Sequence, residues 1–259
     1  EFGRPALFGY FRTLEYKNLG YHKPIMLAGG VGSIKEVHVN KGVPKPGDVV
    51  IVLGGPAMLI GLGGGSASST KKTNENSDLD FASVQRSNPE MQRRAQQVLD
   101  KFNERSSKNP ITFIHDVGAG GISNAIPELA KDTNLGVNIR LEDIYSTDET
   151  MSPMELWCNE SQERYVFSIP KEKLPALEHI CERERCPFSI AGELTIDRLI
   201  NVKFHNEQVV NLSLDHLFGD IPLPELIAQD YNRVTEKEEL PTKNLKKIIF
   251  NTIKYPAVA

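Results

Sequence analysis

The chain has 259 residues, of which 39% are hydrophobic and 25% charged, and its net charge is −4. This is the composition of a globular protein with one large domain or two small ones. Lys and Arg are scattered and slightly outnumbered by acids, which argues against a nucleic-acid-binding surface. No apolar run approaches the roughly 18 to 20 residues of a membrane span, and no signal peptide is visible, so we expect a cytoplasmic protein that does not bind membranes.

The three cysteines, Cys158, Cys181 and Cys186, are odd in number and include no CxxC pair. The sequence therefore predicts neither a disulfide framework nor a zinc site. We expect each cysteine to be a small buried or half-buried side chain rather than a catalytic nucleophile.

The first 47 residues begin without methionine and contain short strand candidates at 9–14, at 24–28 and around His38. They hold too little apolar surface for an independent core. We interpret them as the tail of a preceding domain, and the chain as a piece of a longer polypeptide.

A second region opens at 48–53, an unbroken apolar run that is typical of a strand buried on both faces. The glycine- and serine-rich segment 61–69 follows. Its amides and hydroxyls could hold a phosphate, or it could be a mobile connector, and it lacks the GK[ST] of a Walker loop. Asn88 followed by proline predicts a helix over 89–105, so Gln85 lies just before a helix N-terminus.

The most informative stretch runs from Ile111 to Leu129. The apolar run 111–114 suits a buried strand, and it leads through His115-Asp116 and three glycines into an apolar-periodic helix. Asp116 could hold a cation whose bound polyphosphate faces the turn amides and the helix N-terminus, or it could merely cap the helix. His115 could act as a base. Because neighbours on a strand point to opposite faces, we favour a structural, hydrogen-bonding role for it.

The remaining half alternates strands and helices. The pattern predicts strands at 135–139, 165–169, 188–196, 199–204 and 209–212, an amphipathic helix at 171–184 and a closing helical turn at 215–219. The segment 154–164 is dense in side chains able to bind a ligand, although we expect Trp157 to be a core residue. From Pro222 onward, prolines and charges predict a linker, ending in a basic helix or further linker.

Five segments taken together resemble phosphoribosylformylglycinamidine synthases of the large, single-chain type. They are 54–58, 61–69, 78–91, 115–129 and 151–164, and the resemblance covers essentially the whole chain. It implies an α/β (α+β) layered sandwich, like the C-terminal domain of aminoimidazole ribonucleotide synthetase, with a mixed sheet and flanking helices.

The resemblance also implies domain boundaries. Residues 1–47 would end a preceding synthetase-like N-terminal subdomain, 48–221 would form the C-terminal subdomain, and 222–259 would be a linker towards a second synthetase-like unit.

The activity that the resemblance implies is the ATP-dependent conversion of formylglycinamide ribonucleotide to its amidine in purine biosynthesis. The substrate amide would be phosphorylated to an iminophosphate, which ammonia displaces. ATP and Mg²⁺ would be required, and a glutaminase domain and further synthetase-like subdomains, none of which lies in this sequence, would complete the enzyme. We therefore expect the chain alone to be inactive.

Two other readings stay open at this point. The chain could be a non-catalytic scaffold, or it could come from a selenophosphate synthetase or a thiamine-phosphate kinase of the same superfamily. The long match over 78–91 and the trio 160–162 argue against the second reading.

Carried over by matched position, Gln85 would contact the ribonucleotide and Glu160-Ser161-Gln162 would line the substrate pocket. Asp116 would hold Mg²⁺, and Phe8-Gly9-Tyr10 would border a second, structural nucleotide site. The resemblance places no catalytic side chain here. That agrees with phosphoryl transfer, which needs positioning and metal electrostatics more than a nucleophile.

Overall fold

The computed structural model describes residues 13, 15–20, 29–30, 32–62, 88–105, 109–219, 222, 225, 227 and 244–255. The larger of two compact units comprises residues 1–2 and 34–221, and the smaller comprises residues 3–33 and 222–259. Several predicted features lie outside the described residues: Phe8-Gly9-Tyr10, Gln85, most of the loop 61–69, and the strand candidates at 9–14 and 24–28.

A seven-stranded sheet forms the centre of the larger unit. Its strands are β3 (Val49–Gly54), β4 (Phe113–Asp116), β5 (Gly136–Arg140), β6 (Arg164–Ile169), β7 (Phe188–Thr195), β8 (Leu199–Phe204) and β9 (Glu207–Ser213). Their spatial order is β4-β6-β3-β7-β5-β8-β9. Strands β5 and β8 pair in parallel and every other pair is antiparallel, so the sheet is mixed.

The described residues of this unit also form five α-helices: α1 (Pro89–Glu104), α2 (Ile122–Thr133), α3 (Pro153–Cys158), α4 (Leu174–Glu184) and α5 (Leu214–Leu217). In the smaller unit the described elements are a hairpin of β1 (Glu15–Tyr16) with β2 (Leu19–Gly20), and helix α6 (Leu245–Ile253). No helix in the described ranges is long and apolar enough to cross a membrane.

The apolar run of β3 is buried on both faces of the sheet. Val50 and Val52 belong to the hydrophobic cluster that also contains the buried face of α2. Ile51 and Leu53 belong to a second cluster, with α1 and α4. Because alternate side chains point to opposite faces, a strand covered by helices on both sides needs no polar alternation. The predicted layered sandwich is therefore confirmed.

Local signals in the sequence fix helix α1. The Asn88 side chain accepts a hydrogen bond from the Met91 amide at 3.0 Å, and proline stands at the first helical position. Ala95, Val98 and Phe102 are buried, as their helical spacing predicts.

Two predicted strands differ from the structure. Glu36–His38 is a 3-10 turn, not a strand, and Val37 and Val39 are each 59% exposed, so no buried face supports an extended segment there. The strand predicted at 111–114 is shifted to Phe113–Asp116, where it pairs with β6. His115 and Asp116 thus lie within a strand rather than after it.

Candidate functional site

Three loops leave the same end of the sheet. Gly54, the last residue of β3, pairs with Arg164, the first residue of β6. Asp116, the last residue of β4, pairs with the adjacent Tyr165. The loops 55–62, 117–121 and 159–163 therefore converge, and we call them the three-loop site.

Asp116 lies at the edge of this site. It is exposed, and its Oδ2 lies 3.8 Å from the position that a Cβ would occupy on Gly118. Helix α2 begins after Gly121 and has no side-chain N-cap. Asp116 therefore does not cap the helix, and that alternative is wrong.

His115 points away from Asp116. Its Nδ1 lies 3.6 Å from Glu128 Oε2, and its Nε2 lies 3.6 Å from Asp132 Oδ2; both carboxylates belong to α2. Its Nε2 is buried and forms no hydrogen bond with any residue in the described part of the chain. The opposite orientation of His115 and Asp116 is as predicted. The hydrogen bond expected of His115 is missing at its buried Nε2 among the described residues.

Glu160 links its own loop to both of the other loops. Its side chain is buried, and its Oε1 accepts a hydrogen bond of 2.6 Å from the backbone amide of Gly120. Its own amide donates to Ile60 O at 3.0 Å. A short bond from an amide to a carboxylate is of the strong, charge-assisted kind. A protein carboxylate thus engages one of the turn amides that the sequence suggested for a polyphosphate.

Two glycines make this approach possible. Gly61 has a φ of +63°, and a Cβ on it would lie 2.4 Å from the Glu160 Cβ. Gly121 has a φ of +61°, and a Cβ on it would lie 1.9 Å from the backbone oxygen of Asn159. Both positions therefore require glycine for conformation and for space.

Ser161 adds a second link to the loop 55–62. Its fully buried hydroxyl accepts a hydrogen bond from the Met58 amide at 3.0 Å and donates to Met58 O at 3.5 Å. Gln162 is half-buried. The predicted pocket trio is thus placed at the three-loop site, with two of its members binding neighbouring loops.

Arg164 lies in the segment 154–164 of the sequence analysis, but no role of its own was predicted for it. It is the largest fully buried side chain in the described residues. Its Nε donates to Ser161 O at 2.6 Å, and its Nη2 donates to Asn159 O at 3.2 Å and Asn159 Oδ1 at 2.9 Å. Burial lowers the pKa of Arg164 to about 10, while the charge of Glu163 opposes that shift. The sequence does contain a signal for this role, because Arg164 is a charged residue at the start of the apolar strand β6.

The N-terminal turn of α1 lies at the same end of the sheet. Gln92 Nε2 donates to the Tyr165 hydroxyl at 2.7 Å, and Met91 Cγ lies 3.4 Å from the Cβ position of Gly55. Sequence reasoning singled out neither Gln92 nor Tyr165. The helix that starts shortly after Gln85 thus begins beside the three-loop site.

The described residues suit a cation that is bound partly by a phosphate ligand better than one that is bound by protein side chains alone. They include no group of three or more His, Cys, Asp or Glu side chains able to hold a metal ion. Mg²⁺ is commonly bound by one or two carboxylates together with ligand phosphates and water. Asp116 is exposed, and no described residue donates a hydrogen bond to its carboxylate, so it fits that arrangement.

Comparison with known proteins now decides the family. The sequence profile described as "AIR synthase related protein, C-terminal domain" matches residues 45–204. The chain belongs to this family. The match covers β3 to β8 and includes the whole three-loop site.

Solved structures of Thermotoga maritima proteins share the fold. PurL complexed with FGAR superimposes with a TM-score of 0.65 at 21% identity, covering 80% of this chain and 33% of that chain. Phosphoribosylformylglycinamidine synthase II superimposes with a TM-score of 0.61 at 20% identity, covering 78% of this chain and 31% of that chain. PurL complexed with ATP superimposes with a TM-score of 0.59 at 19% identity, with the same two coverages of 78% and 31%. This chain therefore spans about a third of the length of these proteins. The likeness confirms the predicted fold of mixed sheet and flanking helices.

Proposed function

We propose that this chain is part of an ATP-dependent ligase that converts formylglycinamide ribonucleotide (FGAR) to the amidine, with ammonia supplied from glutamine. The observation that carries the proposal is the hydrogen bond from Gly120 to Glu160. It joins the turn after Asp116 to the segment 160–162, which supports a single site for the proposed metal and substrate contacts. The fold shared with a PurL structure that holds FGAR supports the same reaction.

In this proposal the chain binds and orients, and it contributes no nucleophile. Asp116 would hold Mg²⁺, which when bound neutralises charge on the transferred phosphoryl group. Gln85 and Gln162 would contact the ribonucleotide through their amides. Glu160 and Ser161 would keep the pocket wall in place, since their polar atoms bind Gly120 and Met58.

The rest of the enzyme would come from outside these residues. A glutaminase domain would release ammonia, and further synthetase-like subdomains would supply the remaining ATP contacts. Phe8-Gly9-Tyr10 would border a second nucleotide site. We therefore expect no turnover by the isolated chain with ATP, Mg²⁺, FGAR and ammonia.

The experiment that tests the reaction is a substrate panel, using the protein that carries this chain at its full natural length. ATP consumption should depend on FGAR, and not on selenide or thiamine phosphate. Consumption that depends on another acceptor would overturn the assignment in favour of a different member of the superfamily.

Asp116→Asn separates catalysis from scaffolding in the same assay. Loss of a metal ligand should lower kcat/KM by roughly a hundredfold or more, or about 2.7 kcal/mol of transition-state stabilisation. The matched control is Asp132→Asn, which removes a carboxylate on the opposite side of β4 and should change kcat/KM less than about threefold. A kcat/KM within about threefold of the wild-type value in both variants would favour a scaffold.

A further inference from the structure

Arg164 is an unusual choice for a buried position. Its side chain is only 2% exposed, and its Nη1 makes no hydrogen bond with any described residue. A desolvated cation with an unpaired donor is a poor way to gain stability, because an apolar side chain of similar volume often serves as well or better. The reason for an arginine here must therefore lie in what its other nitrogens bind.

Those nitrogens bind both residues that flank Glu160. Nε donates to Ser161 O, and Nη2 donates to both oxygens of Asn159. Because the guanidinium is planar and rigid, it sets the distance and angle between the residues before and after Glu160. The direction of the Glu160 side chain depends on that geometry.

Asn159 extends the linkage to helix α3. Its Nδ2 donates to Glu155 O at 2.7 Å and to Leu156 O at 2.9 Å, which satisfies carbonyl groups at the end of the helix. The guanidinium therefore fastens a loop whose one end is tied to α3 and whose other end is tied to Met58 through Ser161.

We propose that Arg164 is a positioning residue of the three-loop site: its guanidinium holds Asn159 and Ser161 so that the Glu160 carboxylate reaches the Gly120 amide. This inference rests on the proposed function only for its consequence in substrate binding. Lysine cannot replace arginine in this role, since a single ammonium nitrogen cannot span the acceptors on Asn159 and Ser161.

The Gly120 amide provides a direct readout, independent of any ligand. In ¹⁵N-labelled protein at full natural length, Arg164→Lys should move the Gly120 amide proton upfield, because its bond to the carboxylate lengthens. Its exchange with solvent, relative to that of the Val50 amide in the core, should accelerate at least tenfold. Glu160→Gln should weaken the same bond directly and serves as the positive reference.

Arg94→Lys is the matched control. Arg94 also donates to a backbone oxygen, that of Arg185, but it does so between α1 and α4. The Arg94→Lys variant should leave the Gly120 signal unchanged.

Asn159→Ala is the second test variant, for use if Arg164→Lys does not fold. It removes Oδ1, one of the three atoms that accept from the guanidinium, and should shift the Gly120 signal in the same direction by a smaller amount. An unchanged Gly120 signal in a folded Arg164 or Asn159 variant overturns the proposal.

Titration with FGAR separates this proposal from the proposed function. If both hold, Arg164→Lys weakens FGAR binding at least tenfold and Arg94→Lys does not. If wild-type protein does not bind FGAR while the Gly120 signal still responds to Arg164→Lys, the positioning role stands and the proposed substrate fails. Unaltered FGAR affinity in Arg164→Lys, despite a shifted Gly120 signal, contradicts the consequence for substrate binding.

Discussion

A buried carboxylate needs a donor, and for Glu160 a backbone amide forty residues away in the sequence provides one. This close packing explains the glycines in the neighbouring turns. A side chain at Gly61 would collide with Glu160, and one at Gly121 would collide with Asn159. At the scale of single residues, the site consists of close backbone approaches held by the buried side chains of Glu160 and Arg164.

Replacement of Glu160 by glutamine tests the energy of this pairing. We expect Glu160→Gln to lower the free energy of unfolding by about 1 to 3 kcal/mol, because a charge-assisted hydrogen bond becomes a neutral one in a buried site. Urea denaturation measures the change. Glu128→Gln, at a half-exposed position on α2, is the control and should change the free energy of unfolding by less than about 0.5 kcal/mol. Equal stability of the two variants would show that the Gly120 bond contributes nothing.

The three cysteines should differ in reactivity. Burial raises the pKa of the Cys186 thiol to about 12 and raises that of Cys181 as well, whereas Cys158 is half-buried. Since the thiolate is the reactive form, a disulfide reagent at pH 8 should modify only Cys158 in the native protein. Cys158→Ser should abolish the native reaction of the described cysteines, and rapid modification of Cys181 or Cys186 would contradict the buried placement.

Some of this residue-scale picture is readable from the sequence. Asp116 stands out because it precedes a glycine turn, and Glu160-Ser161-Gln162 because polar residues gather before an apolar strand. The inward turn of Glu160 and the role of Arg164 were not predictable, because each depends on contacts that only the folded chain creates.

At the scale of elements, helix α3 presents the segment 159–162. A capping box begins the helix: the Ser152 amide and hydroxyl each donate to Glu155 Oε2 at 2.8 Å. The hydrogen bonds from Ser152, the backbone one first, lower the pKa of Glu155 from its ordinary value of 4.5. The helix N-terminus is therefore sensitive to acid.

The sign of this effect follows from proton linkage. The folded state binds fewer protons than the unfolded state, so the contribution of Glu155 is complete above about pH 4.5 and is lost as the pH falls through the lower folded pKa. Urea denaturation at pH 7 and pH 3.5 should show this loss. Glu155→Gln should reduce the difference between the two pH values, and an identical difference in the variant would contradict the prediction.

The turn before α2 should tolerate no side chain at Gly121. Gly121→Ala combines a positive φ with a clash against Asn159 O, so we expect a loss of roughly 2 to 4 kcal/mol in urea denaturation. Gly118→Ala is the control three residues earlier, where the nearest atom to the added Cβ is Asp116 Oδ2 at 3.8 Å. It should change stability by less than about 1 kcal/mol, and similar losses for both variants would contradict this account of the turn.

Element boundaries were predictable where packing and local signals agree. Asn88 and Pro89 mark the start of α1, and the apolar run of β3 marks a strand covered on both faces. The start of β4 was misplaced because the ladder with β6 determines which residues are extended. His38 was misassigned because exposed valines imitate a strand pattern, and none of the described strands pairs with this segment.

At the scale of the whole molecule, the sheet brings together segments that are far apart in the sequence. The order β4-β6-β3 places the loops 117–121, 159–163 and 55–62 side by side. Alternation of strands and helices predicted the layers, but that order was not derivable from local patterns, because antiparallel pairing permits several arrangements of the same strands. Resemblance to a family implied a mixed sheet with flanking helices, but it gave no strand order, which the structure supplies.

The central claim is that the three-loop site binds FGAR, and calorimetric titration of the protein at its full natural length with FGAR and Mg²⁺ tests it most directly. Wild-type protein should release heat of binding, and Gln85→Ala and Gln162→Ala should each weaken the affinity at least tenfold, or by about 1.4 kcal/mol. Gln208→Ala, on the exposed edge strand β9, should bind as the wild type does. Absence of heat from the wild-type protein, or unaltered affinity in both site variants, would contradict the account.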